Sequence, residues 1–170
     1  MTDYNNNDHP TNHTETKTLA LKFLKNNKTA VLATASRQGQ PGAATVFYAI
    51  DDDFTFNFIT DNRSRKWNNI KENPHVAIVV GTGPDVMTIQ CGGHVEIIDN
   101  VRDMEKAQEI IRRVIANSKL HGAPPALPVL MNPDVQLGVF KVKPEWMVLL
   151  NLEINKDGED YPHEYIKVLP

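Results

Sequence analysis

The chain has 170 residues, of which 41% are hydrophobic and 23% charged, a balance that indicates one globular domain and excludes a fibrous or wholly disordered protein. Eighteen Lys and Arg residues against 21 Asp and Glu residues give a formal net charge of -3, so no overall positive field favours nucleic acid as a partner. The single cysteine excludes an intrachain disulfide, and we expect a cytoplasmic protein because no secretory leader or membrane-spanning apolar run is found.

The N-terminal part of the chain predicts a tail followed by a helix. The first 14 residues are polar and rich in Asn, so we expect residues 1–14 to form a disordered tail. Apolar residues at helical spacing, with threonines available as caps, then predict an amphipathic helix from about Thr14 to Asn27.

Three β-rich runs follow and predict an antiparallel meander. They are separated by turn residues and cover Thr29–Ala35, Ala43–Ile50 and Phe54–Thr60. In the third run Phe54, Phe56 and Phe58 alternate with other residues, which predicts one buried face on a half-buried strand.

The middle of the chain predicts a short helix and two further strands. The helix runs from about Ser64 to Glu72, because the residue before Pro74 is driven out of the helical region. The strands are Val76–Val80 and Val86–Ile98, and the Gly92-Gly93 pair of the second one predicts a bulge.

The C-terminal part predicts one more helix and two strands. Asn100 is expected to cap a helix that ends near Asn117, with a loop over Gly122–Pro133. The strands Val135–Val142 and Glu145–Glu153 precede a tail over 155–170. Short strands in hairpins, with helices outside them, favour a mainly β fold, a small closed barrel with peripheral α-helices over residues 15–154.

Several phosphate ligands meet where the third strand leads into the second helix. They are the hydroxyls of Thr60 and Ser64, the cations of Arg63, Arg65 and Lys66, and the N–H groups of the helix start. A cluster of three basic residues is more often a solvated patch. Cations at a helix N-terminus oppose the helix dipole, however, and a bound dianion would remove that mismatch.

Short motifs spread over about residues 18–150 carry a family resemblance. They are Ala30-Val31-Leu32-Ala33-Thr34, Gly39-Gln40-Pro41, Phe56-Asn57-Phe58-Ile59-Thr60, Ser64-Arg65-Lys66, Ile70, Asn73-Pro74-His75-Val76-Ala77 and Gly93-His94-Val95-Glu96. In this order and spacing they resemble the pyridoxamine-phosphate-oxidase-like group of FMN-binding split β-barrels. The resemblance implies a six-stranded antiparallel barrel, a homodimer, and FMN in the groove between the two subunits.

The resemblance also implies which residues hold the FMN. It places Thr60, Ser64, Arg65 and Lys66 on the phosphate, and the backbone of Val46 and Phe47 against the flavin ring. The expected cofactor-binding residues further include Ile59, Arg63, Thr88, Gln90 and Trp146. Thr88 and Gln90 compete for one polar contact to the ring or ribityl chain, or face solvent. Trp146 either covers the flavin of the partner subunit or packs within the barrel or its interface.

Two departures from the family pattern bear on the substrate. The second-strand arginine of true pyridoxamine-phosphate oxidases falls on Ala44 here. Their C-terminal substrate motif contains Arg and His, whereas the segment from Tyr161 to Pro170 has no arginine. The phosphate site is therefore expected to depend on Arg63, Arg65 and Lys66, and vitamin B6 synthesis is not expected.

The resemblance implies an FMN-dependent oxidoreductase that exchanges electrons with a small-molecule substrate or a reduced nicotinamide. Hydride transfer to a flavin needs no acid–base residue, so no catalytic residue is named. The alternatives are a non-catalytic flavin carrier or sensor, and a deazaflavin- or haem-using member of the barrel group, with His94 as a candidate haem ligand. The histidines otherwise show no metal-ligand spacing outside His9 and His13, so no metal site is expected.

Overall fold

The computed structural model describes residues 13–81, 87–118, 136–151 and 165–170. Three helices and seven strands occur in these ranges: α1 His13–Asn26, β1 Thr29–Ala35, β2 Pro41–Ile50, β3 Phe56–Asp61, α2 Arg65–Glu72, β4 His75–Val80, β5 Met87–Ile98, α3 Met104–Asn117, β6 Leu137–Asn151 and β7 Tyr165–Leu169. None of the described helices combines the length and the apolar character needed to cross a membrane.

The strands form one antiparallel sheet that closes on itself. Their order is β3-β2-β1-β4-β5-β6-β7, and β3 also pairs with β6. This second pairing closes six strands into a barrel and confirms the predicted mainly β architecture with peripheral helices. The first half of β6, Leu137–Val142, pairs with β3, whereas its second half pairs with β7.

Large side chains fill the barrel, and α1 covers one end of it. The rings of Tyr48, Phe56, Phe58 and Phe140 are fully buried, with centroids 5.1 Å apart for the Tyr48–Phe56 and Phe58–Phe140 pairs. The Tyr48 hydroxyl donates to the Leu24 carbonyl of α1 at 2.7 Å. Burial raises the pKa of Tyr48, so the phenol stays neutral and keeps this bond.

Cys91 lies in the core of the barrel. It is fully buried and unpaired, and burial raises the pKa of its thiol to about 12. Since the thiolate is the reactive form, we expect iodoacetamide at pH 8 to leave the folded protein unmodified and to alkylate Cys91 in 6 M guanidinium chloride, as followed by intact mass. Rapid alkylation of the native protein would contradict this packing.

The third strand begins later than predicted and is buried on both faces. Phe54 has a positive φ of 66°, so it belongs to the turn and not to the strand. Asn57, on the face opposite to Phe56 and Phe58, is fully buried. The prediction of a half-buried strand with Phe54 in its aromatic row is therefore wrong, because strands and α3 cover both faces.

The predicted cap of α3 is also wrong. The Asn100 side chain donates to the Leu137 carbonyl of β6 at 2.6 Å and does not cap the helix. The Asp99 carboxylate accepts from the backbone N–H groups of Val101 and Arg102 instead, which turns the chain before the helix begins at Met104.

The C-terminal strands differ most from the prediction. β6 runs without interruption from Leu137 to Asn151, so the two predicted strands are one. Pro144 is accommodated because it lies opposite Gly93, where the pairing of β5 and β6 shifts register at the predicted bulge. The predicted C-terminal tail contains β7, which pairs with β6. The predicted loop over Gly122–Pro133 and residues 1–12 of the predicted tail lie outside the described residues.

Candidate functional site

A wedge opens in the barrel wall where β2 and β3 separate. The two strands pair from Ile50↔Phe56 to Tyr48↔Phe58 and no further. Beyond that point β2 pairs with β1 and β3 pairs with β6, so the edges of the two strands diverge. Within the described residues no strand pairs with β2 on this side from Pro41 to Phe47. Helix α2 begins in this wedge.

The start of α2 has the geometry that the sequence predicts. Ser64 is the N-cap, and its hydroxyl accepts from the Trp67 N–H at 3.3 Å. The Thr60 hydroxyl, at the end of β3, lies 3.2 Å from the Ser64 hydroxyl. The Ser64 N–H donates to the Asp61 carbonyl at 3.0 Å, which fixes the strand-to-helix turn. The two hydroxyls and the first N–H groups of the helix are therefore held together at one point.

Arg65 and Lys66 flank a cavity beside this helix start. The cavity has a volume of about 150 Å³, and its other lining residues come from β1 and β2: Leu32, Thr34, Gly42, Ala43 and Ala44. The first turn of α2 contains no acidic residue, and neither cation forms an ion pair within the part of the chain that the structure describes. Two positive charges thus lie next to the positive end of the helix dipole, where a bound anion would be stabilised.

Two contacts fix α2 against the barrel. The Trp67 ring lies on Gly138, the residue paired with Thr60, and a Cβ at position 138 would come within 2.5 Å of the ring. On the next turn the buried Asn69 amide donates to the Thr34 hydroxyl of β1 at 3.0 Å. These contacts hold the helix start at a defined place beside the wedge.

We expect Asn69→Ala to lower the free energy of unfolding by about 1–2 kcal/mol, because the Thr34 hydroxyl would lose its buried partner. Urea unfolding followed by circular dichroism measures this loss. Asn68→Ala, at the exposed neighbouring position of the same helix, is the control and should leave the stability within about 0.5 kcal/mol. Equal effects of the two substitutions would contradict the assigned bond.

Arg63 is directed at Asp61 in this structure. Its Nε and Nη2 donate to the two carboxylate oxygens of Asp61 at 3.1 and 2.9 Å, and its backbone N–H donates to the same carboxylate at 2.8 Å. These bonds hold the pKa of the Asp61 carboxyl below its usual value, and Lys66 lowers it further. The sequence analysis did not single out Asp61, although its spacing of two residues from Arg63 is a signal for such a pair.

The residues expected at the flavin ring lie on both faces of the β2 edge. Val46 is buried in the barrel core, so only its backbone can face a ligand, as the resemblance implies. The side chains of Phe47 and Ile59 pack on the other face, against the cluster that α3 forms with the barrel. Because the backbone groups of successive strand residues point to opposite edges, one of Val46 and Phe47 presents its N–H and C=O to the wedge, and the other faces β1.

Thr88 and Gln90 share the outer face of β5, because the bulge lies beyond them, at Gly92 and Gly93. The Thr88 hydroxyl already donates to the Gly81 carbonyl at 2.9 Å. The Gln90 side chain is half-buried and makes no hydrogen bond among the described residues. Of the two alternatives, Gln90 has the more available polar group.

Trp146 lies on the same outer face and is 42% exposed. Its indole covers Gly92, where a Cβ would come within 2.6 Å of Nε1. The strand registers place it at the end of a row of small residues that begins at the cavity: Ala43, Ala33, Ala77 and Gly92. The row leaves a flat surface that runs from the wedge to the indole.

His94 lies away from the wedge on the exposed part of β5. Its Nδ1 bonds the Glu145 carboxylate, and its ring centroid is 4.1 Å from that of His75 on β4. A search of the described ranges for three or more His, Cys, Asp or Glu side chains placed to hold a metal finds no such group.

The donors at the wedge fit a phosphate monoester. Two hydroxyls and the N–H groups of a helix start are held together, and the next two residues, Arg65 and Lys66, are cations that line the adjacent cavity. The sequence predicts Thr60, Ser64, Arg65 and Lys66 at this point, and the structure brings them together. It adds Thr34, Gly42, Ala43 and Ala44, which line the cavity from the side of β1 and β2.

Comparison with known proteins identifies the family of the chain. The family model for pyridoxamine 5'-phosphate oxidase matches residues 17–150. Two curated relatives are pyridoxine/pyridoxamine 5'-phosphate oxidases. The one from Crocosphaera subtropica is 48% identical over 48 residues, which are 28% of this chain and 22% of the relative. The one from Salinibacter ruber is 36% identical over 73 residues, 43% of this chain and 34% of the relative. The matches thus span between about a fifth and about a third of the relatives' length.

Solved structures share the fold at low sequence identity. A protein of the pyridoxinephosphate oxidase family from Clostridium acetobutylicum, related to general stress protein 26, superposes with a TM-score of 0.63 at 14% identity, over 89% of this chain and 92% of that one. An FAD-binding protein from Mesorhizobium loti gives 0.59 at 17% identity, over 78% and 91%. A haem-binding protein from Mycobacterium smegmatis gives 0.59 at 14% identity, over 84% and 55%.

The family model covers most of the chain, from residue 17 to residue 150. The chain therefore belongs to the pyridoxamine 5'-phosphate oxidase family.

Proposed function

We propose that this protein binds FMN at the wedge between β2 and β3 and is an oxidoreductase that passes electrons between a small molecule and the flavin. The observation that supports the proposal is that the paired hydroxyls of Thr60 and Ser64 at the start of α2 are followed directly by two cations, Arg65 and Lys66, that line a cavity. A phosphate monoester carries close to two negative charges at neutral pH, and two cations with a helix N-terminus match that charge.

Each group has its own task in this proposal. Arg65 and Lys66 bind the phosphate by charge-assisted hydrogen bonds, and the hydroxyls of Thr60 and Ser64 orient it. The edge of β2 at Val46 and Phe47 supplies backbone N–H and C=O groups to the polar rim of the ring. Gln90 supplies its side-chain amide from the partner subunit of the homodimer proposed below, because β1 and β4 separate β5 from β2 within one subunit. Bound FMN supplies the electron-transfer chemistry, and the protein supplies orientation and the electrostatic environment.

The small residue at position 44 supports a substrate other than a vitamin B6 phosphate. Ala44 lines the cavity where the resemblance places an arginine in true pyridoxamine-phosphate oxidases. The cavity therefore has fewer cations than the family pattern provides. The two that line it, Arg65 and Lys66, match the charge of one phosphate group, that of FMN. We propose that the substrate is a small molecule without a phosphate group of its own, or a reduced nicotinamide.

We further propose a homodimer built on the outer face of β1, β4, β5 and β6. Val31, Val79, Gln90 and Val148 form one row across these strands and are all half-buried. Together with Trp146 they form a flat, mostly apolar surface next to the wedge, as an isologous interface requires. Light scattering tests this, and a monomer that holds FMN tightly would overturn it.

Reconstitution with FMN tests the function directly. We expect the fluorescence of FMN to be quenched when it binds, with a micromolar or lower Kd. Riboflavin, which has no phosphate, should bind at least about 100-fold more weakly. Bleaching at 450 nm by a reduced nicotinamide, followed by reoxidation in air, would support the oxidoreductase. Bound FMN that no reductant bleaches would favour a carrier, and equal affinity for riboflavin and FMN would overturn the phosphate site.

A second cofactor class is tested by the same purified protein. The Mesorhizobium loti and Mycobacterium smegmatis proteins show that the fold occurs with FAD and with haem. His94 would have to ligate haem through Nε2, because its Nδ1 bonds Glu145. A haem absorbance band on titration with haemin that is lost in His94→Ala would favour this alternative over a flavin.

A further inference from the structure

The Asp61 carboxylate lies next to the site proposed for the phosphate. Asp61 directly follows Thr60, and its carbonyl accepts the N–H of Ser64, so it shares the strand-to-helix turn with both hydroxyls. Lys66 lowers the pKa of the Asp61 carboxyl, which means that the carboxylate lies within the field of a cation that would hold the phosphate. An uncompensated negative charge here would repel a dianion and compete with it for Lys66.

Arg63 compensates that charge in full. Its guanidinium forms two parallel bonds to the Asp61 carboxylate, the arrangement that gives Arg–carboxylate pairs their specificity. The pair has no net charge, so the two remaining cations, Arg65 and Lys66, act on an anion without opposition. The side chain of Arg63 is 58% exposed and can respond to changes at the site without disturbing the core.

We propose that Arg63 is a positioning residue, which strengthens phosphate binding by neutralising Asp61 and not by contacting the phosphate. This inference rests on the proposed FMN site and concerns how that site tolerates a carboxylate beside it. It assigns to Arg63 a role different from the direct phosphate contact that the cluster of basic residues predicts. It also makes Asp61 a determinant of affinity for dianions.

A double-mutant cycle tests the inference. We expect Arg63→Ala to weaken FMN binding by about fivefold at low ionic strength, because Asp61 would then face the phosphate unpaired. Asp61→Asn alone should strengthen binding by about twofold to threefold. The double variant Asp61→Asn/Arg63→Ala, which has the same local net charge as the wild type, should bind FMN within about twofold of it. Fluorescence titration measures all four affinities.

Two comparisons separate this role from a structural one. The fivefold loss of FMN affinity in Arg63→Ala should nearly disappear in about 0.5 M salt, because exposed charges are screened. Arg63→Lys, which keeps the charge, should bind FMN nearly as the wild type does. Lys25→Ala removes a cation from the exposed pair with Asp52, which lies in the turn at the other end of the β2–β3 hairpin, and should leave FMN affinity unchanged.

The outcomes distinguish the inference from the proposed function. A double variant that binds FMN as weakly as Arg63→Ala would show that Arg63 holds the phosphate directly, and would overturn the inference alone. A wild-type protein that does not distinguish FMN from riboflavin would overturn the phosphate site itself. Restored binding in the double variant, together with the salt dependence, supports both.

Discussion

Replacing Arg65 and Lys66 together by alanine should weaken FMN binding by at least about 3 kcal/mol, a loss of roughly 100-fold or more. Charge-assisted hydrogen bonds to phosphate contribute about 1.5–3 kcal/mol each, and partial exposure of the two side chains favours the lower end of that range. The fold should persist, because neither side chain belongs to the core and neither has an ion-pair partner within the described residues.

Fluorescence titration with FMN measures the loss, and circular dichroism checks that the barrel is intact. The double variant Lys22→Ala/Lys25→Ala is the matched control, since it removes two positive charges from exposed positions of α1. It should change FMN affinity by less than about threefold. If the Arg65/Lys66 double variant and the control both bind FMN as tightly as the wild type does, the proposed phosphate site at the wedge would be contradicted.

Gly138→Ala should lower the free energy of unfolding by about 2–3 kcal/mol. The new Cβ would come within 2.5 Å of the Trp67 ring, which packs between Gly138 and the buried core, with its centroid 6.4 Å from that of Phe140. Relief of such a clash in a packed region requires displaced side chains and backbone. Because Trp67 belongs to α2, we also expect FMN affinity to fall as the helix start moves.

Gly42→Ala provides the control for this prediction, because its Cβ would meet no atom closer than 3.6 Å. The stability of this variant should therefore stay within about 1 kcal/mol of the wild type. Urea unfolding of both variants measures the difference. In the double variant Trp67→Leu/Gly138→Ala, the smaller leucine side chain should recover part of the lost free energy of unfolding. If nothing is recovered, the assigned contact between Trp67 and Gly138 is contradicted.

The local patterns of the sequence predicted most of the barrel. β1 has the predicted bounds, and the break before Pro74 ends α2 as expected. Ser64 caps α2 because a hydroxyl before an apolar-periodic segment is a local signal, readable without knowledge of partners. The Gly92-Gly93 bulge was also predicted, since paired glycines in a strand favour a local change of register.

The errors concern features that depend on distant parts of the chain. β7 was missed because its only signal is its pairing with the second half of β6. β6 was split at Pro144 because proline is disfavoured within sheets, yet here the bulge of β5 removes the need for its missing N–H. Asn100 resembled a helix cap, but its amide is used by the Leu137 carbonyl, 37 residues away.

In the candidate site, too, the local features were predictable and those that depend on distant strands were not. The phosphate donors lie within seven consecutive residues, Thr60 to Lys66, so the sequence could predict them. The cavity next to them is lined from β1 and β2, and it becomes visible only when the sheet has brought these strands beside α2. The bonds of Arg63 to Asp61 likewise required the conformation of the turn, since the residue types alone also allow a direct phosphate contact.

The pairing of β3 with β6 also determines when the barrel can close during synthesis of the chain. Phe56 meets Val142, so roughly 80 residues of chain must leave the ribosome between the two strands that seal the wall. Until then the nascent polypeptide exposes the apolar margin of β3, a ready surface for association with other chains. A protein shortened to end after α3 would keep that margin open permanently, and we expect it to require chaperones or to accumulate as aggregates.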